Sequence, residues 1–260
     1  MGFDINEFSM DFFSLKGKKA IVTGGNSGLG QAFALALAKA GANIFCAAHI
    51  PDDGTTQKLI EEAGGKFEFM QADISKQGVP KEIVEACVNR LGSVDILVNC
   101  AGICLIDDVL SFDRDKWDPM IAINLTAAFE LSHEAAKYMI PQRSGRIINI
   151  CSLFSFLGGL GSPAYAAMKA GLMGLTKTYA DELGQYGITV NGIAPGYFAT
   201  KVTENTRSDP EKTKRIIDHC PMNRWGQVQD LMGGCVYLAS KAADFVNGTI
   251  LVIDGGYLVR

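Results

Sequence analysis

The chain has 260 residues, 48% hydrophobic and 20% charged, which supplies a sizeable core and excludes a disordered protein. Its 24 Lys and Arg against 28 Asp and Glu give a net charge of −4 with no basic block, so neither nucleic acid nor an anionic membrane surface is an expected partner. Seven cysteines (Cys46, Cys87, Cys100, Cys104, Cys151, Cys220 and Cys235) show no C-x-x-C spacing and sit mostly in apolar runs. They read as small buried hydrophobes of a reducing compartment, and with three scattered histidines they form no metal-ligand set. The acidic start MGFDINEFSMDFF has no basic stretch leading into an apolar one, so it is not a signal peptide. No run approaches the roughly 18 apolar residues of a membrane span, and the expected location is the cytoplasm.

Short apolar runs alternate with helical patterns along the whole chain. KKAIVTG is the first expected strand and QAFALALAKAGA the helix after it. NIFCAAH and KFEFMQADI follow as strands, then IVEACVNRLG as a helix and VDILVNCAG as the fourth strand. A long helix is expected over WDPMIAINLTAAFELSHEAAKYMI, before a fifth strand, GRIINICS. A second long helix, AYAAMKAGLMGLTKTYADELGQYG, precedes the sixth strand, ITVNGIAPG. The helix DLMGGCVYLAS and the strand ILVIDGG complete the series. Continuous rather than alternating apolar strands imply a parallel sheet covered on both faces. The expected fold is α/β: a Rossmann-type, doubly wound, parallel seven-stranded sheet with helices on both faces, in one domain over 1–260. The polar stretch around 197–225, punctuated by Pro210 and Pro221, follows the sixth strand where a substrate lid would sit.

Between the first strand and first helix lies TGGNSGLG, residues 23–30. Gly24, Gly28 and Gly30 let the backbone approach a pyrophosphate, and the helix that follows offers unpaired N–H groups. The spacing G-x-x-x-G-x-G narrows the possible families. About 20 residues further on, an acid would hold the ribose 2′-hydroxyl, yet the chain reads CAAHIPDD. Ala48 stands in the acid's place and His49 follows. Asp52 and Asp53 disfavour a 2′-phosphate, so NAD is the expected cofactor, with NADP possible. Asp73, after the third strand, is the expected partner of the adenine edge.

The fifth strand ends at Ser152, and Tyr165 and Lys169 follow four apart on one helix face. A phenol, with an ordinary pKa of about 10, is a poor acid or base at neutral pH, and a nearby ammonium favours its anion. Tyr165 can then move a proton, Ser152 can orient a carbonyl, and a nicotinamide can carry hydride. Each of the three is ordinary alone; in this order, after a dinucleotide turn, they are not.

These residues resemble the short-chain dehydrogenase/reductase family over essentially the whole chain. The resemblance rests on TGGNSGLG, on NCAG at Asn99–Gly102, on Asn124, on Ser152, Tyr165 and Lys169, and on Pro195–Gly196 with Thr200. It implies cofactor contacts from Gly24, Asn26, Ser27, Gly28, Leu29, Gly30, His49, Asp73, Ile74, Asn99, Ala101, Gly102, Tyr165, Lys169, Pro195, Gly196, Phe198 and Thr200. It also implies that Asn124 anchors a water linking Lys169 to solvent, and that 193–200 meets the nicotinamide end. Cys100 departs from the usual NNAG motif, and with Asn99 kept the expected change is local.

FFSLKGK, NSGLGQ, SLFSFLGG, APGYFAT and the C-terminal DFVNGTILVIDGGYLVR resemble one branch of that family. Its members are 2-deoxy-D-gluconate 3-dehydrogenases and 2-dehydro-3-deoxy-D-gluconate 5-dehydrogenases of sugar-acid catabolism. Such a substrate meets Ser152 and Tyr165, and its carboxylate needs a cation: Lys201 and Arg207 are the candidates, with Arg224 as another or as a stacking partner of Trp225. The alternatives are a ketone, polyol or acyl-thioester reductase of the same family, or a non-enzymatic dinucleotide sensor, which would lack Tyr165 or Lys169. Apolar residues on several faces of the two long helices (Ile121, Ile123, Leu125, Ala128, Leu131, Ala167, Leu172, Leu175), with the family resemblance, imply a homotetramer built on helix pairing.

Overall fold

The computed structural model describes residues 7–159 and 161–260, so the first six residues of the acidic start lie outside the described residues. All seven apolar runs form strands: β1 (Lys19–Thr23), β2 (Asn43–Ala48), β3 (Phe67–Gln71), β4 (Ile96–Asn99), β5 (Gly145–Ile150), β6 (Ile188–Pro195) and β7 (Ile250–Ile253). They lie in one sheet of order β3-β2-β1-β4-β5-β6-β7, and every neighbouring pair is parallel. The chain first builds outward from β1 through β2 to β3, then returns to β1's other side with β4. Connections therefore diverge between β1 and β4, and a crevice opens there at the strands' carboxyl ends.

Nine α-helices form among the described residues: α1 (Gly28–Lys39), α2 (Thr55–Glu62), α3 (Val79–Leu91), α4 (Arg114–Ile121), α5 (Ala127–Gln142), α6 (Pro163–Leu183), α7 (Glu204–Arg207), α8 (Pro210–His219) and α9 (Gln229–Ala239). Alternate strand residues feed opposite layers, as the two-residue strand repeat requires. Val22, Ile44, Ile96, Ile148 and Ile193 pack with Phe33 and Leu37 of α1 and Leu231 and Leu238 of α9. Ile21, Phe45, Leu97, Ile147 and Val190 pack on the other face with Val84 of α3, Leu131 and Met139 of α5, and Ala180 and Leu183 of α6. Both faces are covered, which is why the strands carry apolar residues without alternation. Among the described residues no helix is long and apolar enough to cross a membrane.

Five elements differ from their sequence-based expectations. The first long helix is interrupted: α4 ends at Ile121, a π turn spans Ala122–Thr126, and α5 begins at Ala127. The second long helix stops at Leu183 and finishes in a 3₁₀ turn, Gly184–Tyr186. Helices α2, α7 and α8 form in segments that carried no expected helix. For α8 the reason is local: Asp209 accepts from the N–H groups of Glu211 and Lys212, and Pro210 occupies the first turn, where its missing N–H costs nothing.

A polar seam runs through the apolar layer under α5 and α6. The Asn99 amide donates to Asn149 Oδ1 (2.8 Å) and Ser132 Oγ (3.0 Å), and the Asn149 amide donates to Thr176 Oγ1 (2.9 Å). Ser132 and Thr176 donate in turn to carbonyls of their own helices, those of Ala128 and Leu172. All four side chains are buried. The seam fixes β4 and β5 against α5 and α6, and buried amides tolerate no substitute that leaves a partner bare. Asn149→Leu is expected to lower unfolding free energy by about 2–4 kcal/mol in urea titration, since the Asn99 amide and Thr176 each lose a partner. A change within about 0.5 kcal/mol would mean the seam holds nothing.

Candidate active site

The Gly-rich turn folds back onto α1 so closely that side chains cannot enter. A Cβ on Gly30 would stand 2.2 Å from the Gly24 carbonyl oxygen, and Gly24 has φ +66° with Ala101 Cα at 3.2 Å from its own Cβ position. Gly28 is different: φ is +51° and nothing lies within 4 Å of its Cβ position. This open hollow sits at the N-terminus of α1, where Ser27 makes no side-chain cap and the first-turn N–H groups have no helical partners. Space, positive helix end and free donors together fit a pyrophosphate. Asn26 serves the turn itself, donating to the carbonyls of Ile50 (2.8 Å) and Pro51 (3.4 Å) and fastening it to the β2–α2 loop. Leu29 is partly buried against the core beneath.

Around the hollow, Ala48 is buried and His49 exposed. Asp52 accepts the Gly54 N–H with one oxygen while its other oxygen is buried without a partner. Asp53 accepts the Thr55 N–H at the start of α2. Asp73 accepts from the Ser75 hydroxyl (2.6 Å) and N–H, contacts that hold its carboxyl below the usual range. Ile74 beside it is buried. Thr23, which the sequence analysis did not single out, braces the crevice: its hydroxyl accepts the N–H groups of Cys100 and Ala101, both at 3.0 Å. Its position as the first residue of the TGGNSGLG motif was the available signal.

Two expected cofactor contacts point elsewhere. The Asn99 side chain turns into the core seam, because the parallel β4 leaves it facing α5. The Phe198 ring is buried in the core against Gly226. Gly196 is required by packing, since a Cβ there would stand 2.7 Å from Asp254 Cα.

Ser152 leaves the end of β5, and its Oγ accepts the Phe154 N–H at 3.2 Å. Tyr165 and Lys169 lie one turn apart on α6, with the Lys169 Nζ 5.6 Å from the Tyr165 ring centroid. Nζ donates to the Ile150 carbonyl at 2.6 Å, so the lysine is tied to the strand that presents Ser152. Burial pushes the Lys169 ammonium down from its ordinary range and the Tyr165 phenol up from its own, and the adjacent Ser152 hydroxyl opposes the second shift. Phe154 sets its ring edge-on to Tyr165 at 5.8 Å. The structure thus brings together the three residues that the spacing selected.

Asn124 sits in the π turn, with its side chain fully engaged. Its amide donates to the carbonyls of Ile103 (3.1 Å) and Met120 (2.9 Å), and Oδ1 accepts the Ile103 N–H (3.2 Å). Gly102 is the only residue that fits beside it, since a Cβ would stand 2.3 Å from Oδ1. The Ala127 N–H reaches back five residues to the Ala122 carbonyl, a widened turn of the kind that recurs at functional sites.

The 197–225 segment leaves and returns on a packed stem: Phe198 bridges Gly226, and Trp225 is buried with its ring edge-on to Tyr197 at 5.7 Å. Arg224 does not stack on Trp225. It forms a two-pronged pair with Asp230 (2.6 and 3.1 Å), which removes it from the carboxylate candidates. Arg207 donates to the Thr200 carbonyl at 3.1 Å, whereas Lys201 is exposed. Among the described residues no cluster of three or more His, Cys, Asp or Glu could hold a metal ion.

The model of a family described as enoyl-(acyl carrier protein) reductase matches residues 24–258. The chain is 66% identical to the uncharacterized oxidoreductase YgcW of Escherichia coli K12, with 98% of each chain covered. It is 44% identical to the 2-dehydro-3-deoxy-D-gluconate 5-dehydrogenase of Bacillus subtilis 168, over 96% of this chain and 98% of the relative. The crystal structure of a gluconate 5-dehydrogenase from Burkholderia cenocepacia in complex with NADP and tartrate superposes with a TM-score of 0.92, at 35% identity, covering 96% and 98% of the two chains. A dinucleotide hollow at a strand crossover and a Ser–Tyr–Lys group beside it agree with these likenesses: the chain belongs to the short-chain dehydrogenase/reductase family and is an NAD(P)-dependent oxidoreductase acting on CH–OH groups.

Proposed function

We propose that the protein interconverts a secondary alcohol and a ketone on a sugar acid of the 2-deoxy-D-gluconate or 2-dehydro-3-deoxy-D-gluconate class. The observation that carries the substrate class is the 43–44% identity, over 95–96% of this chain, to 2-dehydro-3-deoxy-D-gluconate 5-dehydrogenases of two bacteria. The bound nicotinamide supplies or removes hydride at the reacting carbon. Gly24, Gly28, Gly30 and the first turn of α1 hold its pyrophosphate, Asp73 and the Ile74 backbone meet the adenine, and Pro195, Gly196 and Thr200 border the nicotinamide end. Ser152 donates to the carbonyl oxygen of the substrate. Tyr165 gives or takes the proton at that oxygen, and the Lys169 ammonium favours its phenolate while serving the ribose hydroxyls. The π turn at Asn124 connects Lys169 to solvent as the route by which the proton is replaced. The segment over 197–225 acts as the lid, with exposed Lys201 as first candidate for the substrate carboxylate and Arg207 as second.

Exposed Phe129, beside His133 and Tyr179 on the α5–α6 surface, supports an interface through these helices and a homotetramer as the assembly. Ala128, Leu131 and Leu172 are spent on the core, so Phe129 and Ala167 carry the outward face. Seven unpaired cysteines support a reducing, cytoplasmic setting.

Initial rates with NADH and NADPH against keto-deoxy sugar acids, acetoacetyl thioesters and simple polyols and ketones test the substrate class. The expected outcome is a kcat/KM at least about tenfold higher on a sugar acid, a gap of about 1.4 kcal/mol, with a modest preference for NADH. A thioester or neutral ketone in first place would overturn it. Tyr165→Phe is expected to lower kcat by about 10²–10⁴-fold, the contribution of one acid–base group, while NADH affinity by fluorescence stays within about twofold. Retained turnover would remove Tyr165 from its role.

Lys169 yields a pH-dependent expectation. Its folded value lies below its unfolded one, so the unfolded chain binds this proton more tightly and folding stability rises with pH across that window. Burial penalises the charged form, and the Ile150 carbonyl at 2.6 Å answers it in part. Lys169→Met should therefore abolish turnover, and its melting temperature relative to the parent should fall as pH rises, because only the parent gains stability as this proton leaves. A difference between the two that does not change with pH counts against the buried charge.

A further inference from the structure

Lys169 is fastened to the exit of β5 at both of its ends. Its ammonium donates to the Ile150 carbonyl at 2.6 Å, and its backbone carbonyl accepts from the Ser155 hydroxyl at 2.8 Å. The same Ser155 Oγ accepts the backbone N–H of Ser152 at 3.3 Å. A hydroxyl has one proton to give, and here it goes to Lys169, so its oxygen faces Ser152. Ser155 closes the 3₁₀ turn Leu153–Ser155, which Ser152 opens by accepting the Phe154 N–H, so the pair caps the turn reciprocally. The side chain is 6% exposed, and the Cys151 thiol lies beside it, so no water replaces the bridge.

We propose that Ser155 is a positioning residue: one buried hydroxyl sets the spacing between the strand end that presents Ser152 and the helix turn that presents Lys169, and so holds both against Tyr165. The inference rests on the catalytic roles given above to Ser152, Tyr165 and Lys169. Both groups that flank the phenol are rooted within one hydrogen bond of this oxygen. Without it the two elements keep their apolar packing but lose the polar tie that fixes their separation. A misplacement of about 1 Å at a proton-transfer site costs on the order of 10²-fold in rate.

A double-mutant cycle over Ser152 and Ser155 tests this, with Tyr165→Phe as reference. Ser155→Ala should lower kcat by about 10–100-fold, leave NADH affinity by fluorescence within about twofold, and move the limb of the pH–kcat profile that reports Tyr165. Ser155→Thr, which keeps the hydroxyl, should recover most of the rate. In a Ser152→Ala background, Ser155→Ala should cost several-fold less than in the parent, because one of the two groups it positions is already gone. Full activity of Ser155→Ala, or an equal loss in both backgrounds with an unmoved pH profile, would overturn the proposal. Should the alanine variant not fold, Ser155→Cys, with equal shape and a weaker donor, is judged by the same criteria. Turnover retained by Tyr165→Phe would sink the catalytic roles themselves, whereas a dead Tyr165→Phe beside a fully active Ser155→Ala sinks only the role of Ser155.

Discussion

A buried ammonium without a carboxylate partner governs how this molecule is put together around its site. Lys169 lies within the protein and its charge is answered by a carbonyl, Ile150 O, and by the face of the Tyr165 ring, whose centroid is 5.6 Å away. An isolated charge in such surroundings costs several kcal/mol, and a neutralising acid beside it would remove the field it exerts on Tyr165. The protein leaves the charge unneutralised and holds its position instead. The lysine's own strand contact, the Ser155 bridge and the rigid first turn of α6 all act on geometry rather than on charge. Such an arrangement is stable only on a scaffold that cannot relax, and the Asn99–Asn149–Thr176 seam directly beneath supplies that stiffness.

The same scaffold explains why two unlike sites meet. Parallel strands put all their carboxyl ends on one edge, and the divergence between β1 and β4 leaves the crevice there open. Thr23, at the end of β1, holds the exit of β4 through two backbone N–H groups, and Gly102 then passes against Asn124. The dinucleotide hollow and the π turn are thereby in one rigid frame. Cys100, where the NNAG motif has an asparagine, is held to Thr23 by its N–H and not by its side chain.

Much of this was legible in the sequence, and the parts that were not share a physical cause. Strands were plain because burial on both faces leaves unbroken apolar runs, and Tyr165 and Lys169 were plain because a four-residue spacing has one meaning on a helix. The π turn carried no punctuation: Ala122–Thr126 continues the helical pattern, and Pro119 lies inside α4 rather than at the break. Asn99 read as a ligand because the motif marks the residue but not its direction, which only the register of β4 on β5 determines. Helices α2 and α8 are short and polar, and their stability comes from caps such as Asp209 and from packing rather than from a periodic apolar stripe. Arg224 was indistinguishable from a free cation until Asp230, six residues on, was seen to reach it.

The sequence is least patterned between β6 and α9. The stem of the 197–225 segment is packed through Phe198, Trp225 and the Arg224–Asp230 pair, whereas Lys201, Val202 and the start of α7 stand in solvent. Leu105 and Ile106 from the β4–α4 loop and Phe156 and Leu157 from the β5–α6 loop present exposed apolar surface. Those two loops are joined to each other, by the Ser162 hydroxyl on the Leu105 carbonyl (2.7 Å) and the Asp107 N–H on the Gly161 carbonyl (2.8 Å). The two loops are therefore fixed to each other and present a largely apolar surface. A carboxylate held by an exposed lysine in water contributes little, and the same pair closed over an apolar wall contributes considerably more, because water is excluded from it.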